Sequence, residues 1–517
     1  MDFPEKNPAR ILPVAPHSRT CFFNHFARAK NRFVGEGVRL WDFASEIEEA
    51  LITRRLVEDF CPRNKQFEAR SKGSRIRSRR MISARGAPVC NSDRTCEVVP
   101  MKNNRLAYRT IAKVAIFVAT LVLAGTLQAS GSTATPLHIF GSGTDGNAAY
   151  GRVISDAAGN LYGTTATGGT SGSGTVFELS NPGAPTSWNE TVLYNFTGGN
   201  DGSQPYGGVI FDAAGNLYGT TYRGGTSNAG TVYQLAPPAV QGGTWTETVI
   251  YSFASGTDGL GPQGDLTFDQ AGNLYGTTDN GGSPGNGIVF QLAPPATQGG
   301  PWTETILHSF MVSEGTSPRA AVIFDKKGAL YGTLANDGQF GAGAVFRLEP
   351  PATKGGIWTE KTLYMFGGGF DGLGPLCTLI LFQGNLYGTT VVGGVSGSGT
   401  VFQLTPPASH HGLWNKTTLH YFHGGRGDGH LPWAGLTMDK KGVLYGTTQS
   451  GGLPFLGGTV FQLKQVAGKW TESIVFSFRA YLTQDSTAGL LLGKDGALYG
   501  TTIGRKGNAG MVFKLRP

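Results

Sequence analysis

The tripeptide Tyr-Gly-Thr recurs seven times in the C-terminal part of the chain and constrains the fold more than any other feature. The spacing between copies is 54 to 58 residues. Repeats of this length are typical of folds in which each copy is one small unit that buries its apolar face against its neighbours. The tyrosines of the seven copies are Tyr162, Tyr218, Tyr275, Tyr331, Tyr387, Tyr445 and Tyr499.

Each copy contains four short strand candidates separated by turn residues. In the second copy, Asp212 and Gly215 favour a tight turn, and Pro237 cannot continue a paired strand. The fourth candidate alternates apolar and polar residues with period two, and 136–517 contains no amphipathic run of helix length. The sequence therefore predicts an all-β domain, with strands in this copy at 209–212, 217–221, 231–235 and 246–253.

Four-stranded units can be arranged radially, as a β-propeller, or linearly, as a β-solenoid. The two ends of the repeat region distinguish these arrangements. Residues 136–140 match a fourth strand, whereas the last copy has only three strands, so the first strand can complete the last unit. We predict a seven-bladed β-propeller of four-stranded blades that is closed by 136–140, with residues 1–135 outside the fold. Closure also removes the exposed edges of an open stack.

The whole chain has a net charge of +8, but its excess of basic residues lies outside the predicted propeller. Residues 1–100 carry +7 and 101–135 carry +4, whereas 136–517 carry −3. Nucleic-acid binding is therefore not expected of the propeller, because such binding depends on clustered basic residues. The 80 glycines follow no collagen period and are explained as turn residues of the repeat. Cys377 is the one cysteine of 136–517, so no disulfide framework is predicted there.

A basic stretch that begins at Met101 is followed by an uncharged apolar run and then by small residues. This order is typical of a secretory signal. We predict that 101–135 is a signal peptide or, alternatively, a single membrane anchor that contacts the bilayer through 111–129 if it is not cleaved. Residues 1–100 are interpreted as a disordered or wrongly assigned N-terminal extension. The propeller is then exported to the periplasm, cell surface or medium, or lies outside the cell on a single-pass anchor.

The pattern G-x-x-x-D-x-x-G-N-L-Y-G-T-T-x-x-G-G, followed by G-T-V-F, runs through all seven copies. It resembles the GloVer tandem repeat of exported bacterial choice-of-anchor proteins, and less closely the NHL type of propeller repeat. The resemblance implies an exported repeat protein and carries no catalytic residues with it.

In an up-and-down blade, the loop that enters the blade and the loop between its second and third strands share one end of the ring. This end would present acidic residues and threonines that hold a cation, an amine or a sugar. Turn chemistry and strand propensity explain the same residues without a ligand. The acidic candidates are Asp145, Asp201, Asp258, Glu314, Asp371, Asp428 and Asp485, and the threonines are Thr165, Thr221, Thr278, Thr390, Thr448 and Thr502.

Two further residue types recur or cluster. A tryptophan begins the fourth strand in six copies, and packing between blades explains it better than carbohydrate stacking. His423 and His430 flank Asp428 and form the one asymmetric group that could bind zinc, although loop histidines are usually solvated. His420 aligns with an aromatic framework position, and no metal or cofactor is predicted. The tryptophans are Trp188, Trp245, Trp302, Trp358, Trp414 and Trp470.

Motifs for a serine hydrolase, a zinc protease or a phosphate-binding loop are absent from the sequence. The sequence therefore favours an exported, monomeric, non-enzymatic scaffold that binds a protein or a glycan. Two alternatives stay open, a lyase or hydrolase that acts at the channel mouth and a structural protein of the cell envelope.

Overall fold

The computed structural model describes two parts of the chain. In the N-terminal unit, two short strands, Ala87–Cys90 and Cys96–Val99, pair antiparallel. The second unit contains the repeats. Nearly all of the signal-like segment and of the N-terminal extension lies outside the described residues. The described residues are 87–90, 96–99, 133–141, 144–181, 183, 188–240, 242–297, 299–353, 355–408, 412–425, 427–453, 457–478, 488–504 and 510–517.

The repeats form seven antiparallel four-stranded sheets, each one blade of a β-propeller. In blades 1 to 6 the strands follow one another in sequence order, and in blade 7 the N-terminal strand takes the fourth place. The first strand of each blade lies nearest the centre. The strands are, in blade 1, Ile154–Ser155, Leu161–Thr165, Thr175–Ser180 and Asn189–Asn195; in blade 2, Ile210–Phe211, Leu217–Thr221, Thr231–Ala236 and Thr246–Ser252; in blade 3, Thr267–Phe268, Leu274–Thr278, Ile288–Ala293 and Thr303–Ser309; in blade 4, Ile323–Phe324, Leu330–Leu334, Ala344–Glu349 and Thr359–Met365; in blade 5, Ile380–Phe382, Asn385–Thr390, Thr400–Thr405 and Asn415–Tyr421; in blade 6, Thr437–Met438, Leu444–Thr448, Thr459–Val466 and Lys469–Ser477; and in blade 7, Leu491–Leu492, Leu498–Thr502, Met511–Leu515 and Ala134–Ile139.

Small elements lie in the connecting loops. Two additional strand pairs join the loop that enters a blade to the loop between its second and third strands, and one turn of 3₁₀ helix precedes blade 5. These elements are Gly259–Leu260 with Asn280–Gly281, Gly429–His430 with Ser450–Gly451, and Gly369–Asp371. No helix in the described part of the chain is long and apolar enough to span a membrane.

The all-β class, the seven blades and the closure by an N-terminal strand are confirmed. The closing strand begins two residues earlier than predicted, because Ala134 and Thr135 already pair with the strand Met511–Leu515. These two residues therefore belong to the fold, which corrects the predicted boundary at 136. Pro136 does not interrupt the strand, since a fourth strand is the outer edge of its blade and an edge strand tolerates a missing N–H.

The hydrophobic core lies between blades rather than in one central mass. The five residues that begin with Leu-Tyr-Gly-Thr are buried in every second strand, because neighbouring blades cover both faces of the sheet. The tryptophans pack across the boundaries, as predicted, but onto a strand rather than a loop: the ring of Trp302 in blade 3 lies 6.0 Å from that of Tyr218 in blade 2. Stacking of this kind joins each blade to the next.

The glycine of Tyr-Gly-Thr makes room for an aromatic ring of the third strand. A Cβ atom on Gly276 would lie 2.5 Å from Cζ of Phe290, which is far inside van der Waals contact. The Phe290 ring in turn meets Phe253 of the preceding blade edge to face, with 5.2 Å between centroids. Glycine at this position therefore follows from the packing of the core.

A threonine hydroxyl joins each blade to the next. The threonine that follows Tyr-Gly in each second strand donates its Oγ1 hydrogen bond to a backbone carbonyl just before the next blade's first strand. Because every blade uses the same bond, the ring is held by a repeated polar contact as well as by its core. The donor and acceptor pairs are Thr164 to Gly207, Thr220 to Gly264, Thr277 to Ala320, Thr333 to Cys377, Thr389 to Ala434, Thr447 to Ala488 and Thr501 to Gly151.

Candidate functional site

The loops that enter the blades and the loops between second and third strands lie at the same end of the propeller. In blade 2, Ser203 and Arg223 exchange two backbone hydrogen bonds of 2.8 and 3.1 Å. Equivalent bridges join Asn147 to Thr167 and Thr316 to Asn336. We call this end the loop face.

The acidic candidates lie on the loop face, where their carboxylates hold the turns. Asp201 accepts hydrogen bonds from the backbone N–H and the hydroxyl of Thr197, at 2.7 and 2.6 Å, and from the Tyr194 hydroxyl at 3.1 Å. Hydrogen bonding within the turn therefore explains why an aspartate occupies this position. Asp145, Asp258, Glu314, Asp371 and Asp428 likewise accept a backbone N–H, and Asp485 lies outside the described residues.

The candidate threonines are buried between blades. Thr165 Oγ1 lies 2.8 Å from Oγ1 of Thr175 on the neighbouring strand, and both residues have no exposed surface. Burial leaves hydroxyls of this kind without access to a ligand at the channel mouth. The other five candidates are at most 1% exposed: Thr221, Thr278, Thr390, Thr448 and Thr502.

His423 and His430 turn to different partners. His423 Nδ1 lies 3.1 Å from Oγ of Ser396, and His430 Nδ1 lies 2.9 Å from Oγ of Ser450. The structure therefore does not bring the two imidazoles together on Asp428. The histidine beside that carboxylate is His420, whose Nε2 lies 3.2 Å from Asp428 Oδ2.

The copies differ at one position on the rim of the central channel, four residues before each first strand. The side chains at this position line a cavity of about 570 Å³ to which all seven blades contribute. We call these residues the mouth ring. Its described members are Tyr150, Tyr206, Gln263, Arg319, Leu376 and Trp433, and the seventh position, Thr487, lies outside the described residues.

One side of the mouth ring is aromatic. The rings of Tyr150 and Tyr206 meet edge to face with 5.2 Å between centroids, and Tyr206 meets Tyr222 at 5.5 Å. The guanidinium of Arg223 lies 5.3 Å from the centroid of the Tyr222 ring. Burial raises the pKa of Tyr206, and its neighbouring tyrosines raise it further, so the hydroxyl stays protonated and can donate a hydrogen bond.

The next part of the ring carries guanidinium, amide and carboxylate groups. Arg319 Nε donates to Asp279 Oδ1 at 2.8 Å, and Gln263 Nε2 donates to Asp279 Oδ2 at 3.3 Å. Asp279 is buried, whereas about a third of the Arg319 side chain is exposed. The buried carboxylate therefore orients two side chains whose remaining donors face the channel mouth.

Trp433 completes the described ring opposite the tyrosines. It is 36% exposed, and its indole N–H donates to Gln449 Oε1 at 3.0 Å. Exposed tryptophan is unusual in a chain whose other described tryptophans pack between blades. The hydrogen bond holds the indole while about a third of the residue stays exposed to solvent.

The mouth ring is not among the residues predicted from the sequence, most of which are residues that recur in every copy. In a repeat protein the framework is what recurs, whereas a ligand requires side chains that differ from copy to copy. The signal was present in the aligned copies, where Tyr150, Gln263, Arg319 and Trp433 occupy one register position beside nearly constant neighbours.

The solved structures to which the chain is similar are distant in sequence. A protein of unknown function from Dyadobacter fermentans is 13% identical, with a TM-score of 0.36, over 66% of this chain and 97% of its own. The surface component PorZ of the type-IX secretion system of Porphyromonas gingivalis is 14% identical, with a TM-score of 0.44, over 75% of this chain and 49% of its own. Trypanosoma rangeli sialidase is 12% identical, with a TM-score of 0.36, over 74% of this chain and 59% of its own. No curated protein matches the chain.

A family model matches the repeats from one end to the other. The matched segments are 125–322, 296–414 and 323–517, which together include every blade and the closing strand. This agrees with the resemblance drawn from the glycine-rich repeat pattern. The chain belongs to the Gloeobacter/Verrucomicrobia repeat family.

Proposed function

We propose that this chain is an exported, non-enzymatic binding protein whose mouth ring holds a carbohydrate. One observation carries the proposal: side-chain identity varies at the rim position while the framework around it is repeated almost unchanged. Variation at the rim of a rigid scaffold is expected of a surface that recognises a ligand.

The chemistry of the ring favours a sugar. Tyr206 and Trp433 offer aromatic faces and edges, while Gln263 and Arg319 offer oriented hydrogen-bond donors. Sugars combine apolar C–H faces with hydroxyls that require such partners. The cavity of about 570 Å³ lies in the size range of small-molecule sites. We also propose that the chain is a monomer and that it does not bind nucleic acid.

A glycan array probed with the full chain tests this proposal. We expect retention of one carbohydrate class, and we expect Tyr206→Ala and Trp433→Ala each to weaken binding by about tenfold or more, since removal of a stacking aromatic costs above 1 kcal/mol. Ile357→Ala is the control, because Ile357 is 89% exposed in a loop between third and fourth strands, at the opposite end.

Each of the remaining outcomes would favour one of the alternative functions. If the array shows no binding and the mouth ring captures a protein partner, the ligand is a protein and not a glycan. A blank result in both assays would favour a structural role in the envelope. Turnover of a bound saccharide would make the chain a lyase or hydrolase, contrary to the proposal.

The export part of the proposal rests on the signal-like segment 101–135. The closing strand begins at Ala134, so it overlaps the last two residues of that segment. Cleavage after Gly131 would leave the strand whole, whereas cleavage after Ala134 would remove its first residue. N-terminal sequencing of the native protein should therefore find a start close to residue 132. A peptide from 1–100 in the mature protein would contradict this assignment.

A further inference from the structure

Three side chains from different elements meet where blade 5 adjoins blade 6. His420 lies on the fourth strand of blade 5, Asp428 lies in the connecting loop, and Glu472 lies on the fourth strand of blade 6. Their ligand atoms lie within 4.8 Å of one another. Among the described residues, no other three His, Cys, Asp or Glu side chains meet this distance.

One carboxylate oxygen of this group has no hydrogen-bond partner. Glu472 Oε1 is buried from solvent and unpaired within the part of the chain that the structure describes. A buried polar atom of this kind requires a proton or a cation to offset its lost hydration.

The preceding blade boundary contains a cation at the equivalent position. Lys416 occupies in blade 5 the place that Glu472 occupies in blade 6, two residues after the tryptophan. Its ammonium lies 2.9 Å from Asp371 Oδ1 and 2.7 Å from the Asp371 carbonyl oxygen, and only 5% of its side chain is exposed. The repeat itself therefore shows that this position beside the loop carboxylate accepts a buried positive charge.

We propose that His420, Asp428 and Glu472 bind a divalent metal ion of the zinc class, which joins blade 5 to blade 6. The ion would supply at this boundary the positive charge that Lys416 supplies at the previous one. This site lies between strands of adjacent blades and is independent of the mouth ring.

The donor set and its surroundings fit that class of ion. Imidazole nitrogen and carboxylate oxygen are both zinc ligands, and three protein ligands with water in the fourth position is a common arrangement for this ion. The Asp428 oxygens are already oriented by the backbone N–H groups of Gly429, at 2.6 Å, and His423, at 2.8 Å. Hydrogen bonds of this type fix the direction of a metal ligand.

Titration of the full chain with zinc chloride, followed by calorimetry and by thermal unfolding, tests the site. The chain contains other histidines and cysteines, so the readout is the difference between variants. We expect His420→Tyr and Glu472→Gln each to bind one ion fewer per chain than the wild type. Tyrosine should preserve the fold, since Tyr364 occupies this position at the preceding boundary. The zinc-induced rise in Tm should be smaller in both variants.

A third variant tests the comparison with Lys416. Glu472→Lys should also bind one ion fewer, and in the presence of a chelator it should unfold at a higher temperature than the wild type, because the new ammonium can pair with Asp428. His423→Ala with His430→Ala is the control and should keep the full zinc stoichiometry. Equal zinc uptake by the wild type, His420→Tyr and Glu472→Gln, or loss of the ion only in the control, would overturn the proposal.

Discussion

Thr501 Oγ1 donates a hydrogen bond of 3.2 Å to the backbone carbonyl of Gly151, a residue 350 positions earlier in the chain. The same bond joins Thr277 to Ala320 between consecutive blades, at 3.0 Å. The boundary between the last and first blades is therefore built like the internal ones. It also places Gly151, the neighbour of Tyr150 in the mouth ring, against blade 7.

Replacement of Thr501 by valine should lower the free energy of unfolding by about 1 kcal/mol, because it removes one buried hydrogen bond and keeps the side-chain shape. Thr277→Val is the matched variant at an internal boundary and should cost a similar amount. Urea unfolding of both variants measures the difference. A clear loss for Thr277→Val with none for Thr501→Val would mean that the seventh boundary is not formed in solution.

Alanine at Gly276 should destabilise the domain by about 1 to 3 kcal/mol, as is typical of overpacking. The new Cβ atom would meet Cζ of Phe290 at 2.5 Å, and the ring cannot retreat because Phe253 packs against it. Gly199→Ala is the control, since the nearest atom to its new Cβ would be Thr197 Oγ1 at 3.5 Å. Chemical denaturation should separate the two variants, and equal stability would argue against this packing.

Lys416→Met should cost about 2 to 3 kcal/mol at pH 7, because it leaves the half-buried Asp371 carboxylate without its cation. Burial alone would raise the pKa of Asp371, but hydrogen bonds from Gly367 and Lys416 hold it below its usual value. The stabilising effect of the pair is therefore present above the unfolded pKa and is lost as the pH falls through the folded pKa.

The measurement for Lys416→Met is urea unfolding between pH 3 and 7, with Lys361→Met as the control. Lys361 pairs with Glu349 at the surface and is 55% exposed, so its loss should change stability by less than about 0.5 kcal/mol. If the cost of Lys416→Met does not shrink toward pH 3, the ion pair is not its source.

Glu304→Gln should gain stability relative to the wild type as the pH rises from 5 to 8. Burial, with a further contribution from Asp258, raises the pKa of Glu304 from 4.5 to about 7. The folded chain therefore holds this proton in a range where the unfolded chain has released it, and stability falls as the pH rises through that range.

The gain for Glu304→Gln should reach about 1 kcal/mol at pH 8, because the half-buried carboxyl keeps part of its hydration. Unfolding midpoints at pH 5, 6, 7 and 8, taken for the variant and the wild type, measure it. A constant difference across this range would show that Glu304 titrates at its ordinary pKa.

The fold was predictable because every copy repeats the same local signals. The turn of Asp212 is an example: its carboxylate accepts the backbone N–H groups of Ala214 and Asn216 and the hydroxyl of Tyr218, all within six residues. Closure was predictable from the missing fourth strand at the C-terminus. The start at Ala134 was not, because Pro136 suggested a strand boundary.

The candidate site was less predictable, for two physical reasons. Thr221 was a candidate because its strand ends on the side of the ring that carries the entering loops, but neighbouring blades cover both faces of that strand, so the side chain is buried. His420 occupies the framework position that alignment of the copies predicted, and its Nε2 atom also contacts Asp428. Glu472 joins them only because blade 6 packs beside the loop.

Deletion of residues 134–140 from the full chain tests the central claim that the seven blades close into one ring around the mouth. We expect the variant to aggregate or to associate through the exposed edge of Met511–Leu515, and a synthetic peptide of residues 134–140 to restore a monomer by strand addition. Light scattering after size-exclusion chromatography measures this directly. A monomeric deletion variant with an unchanged Tm would contradict the closed ring.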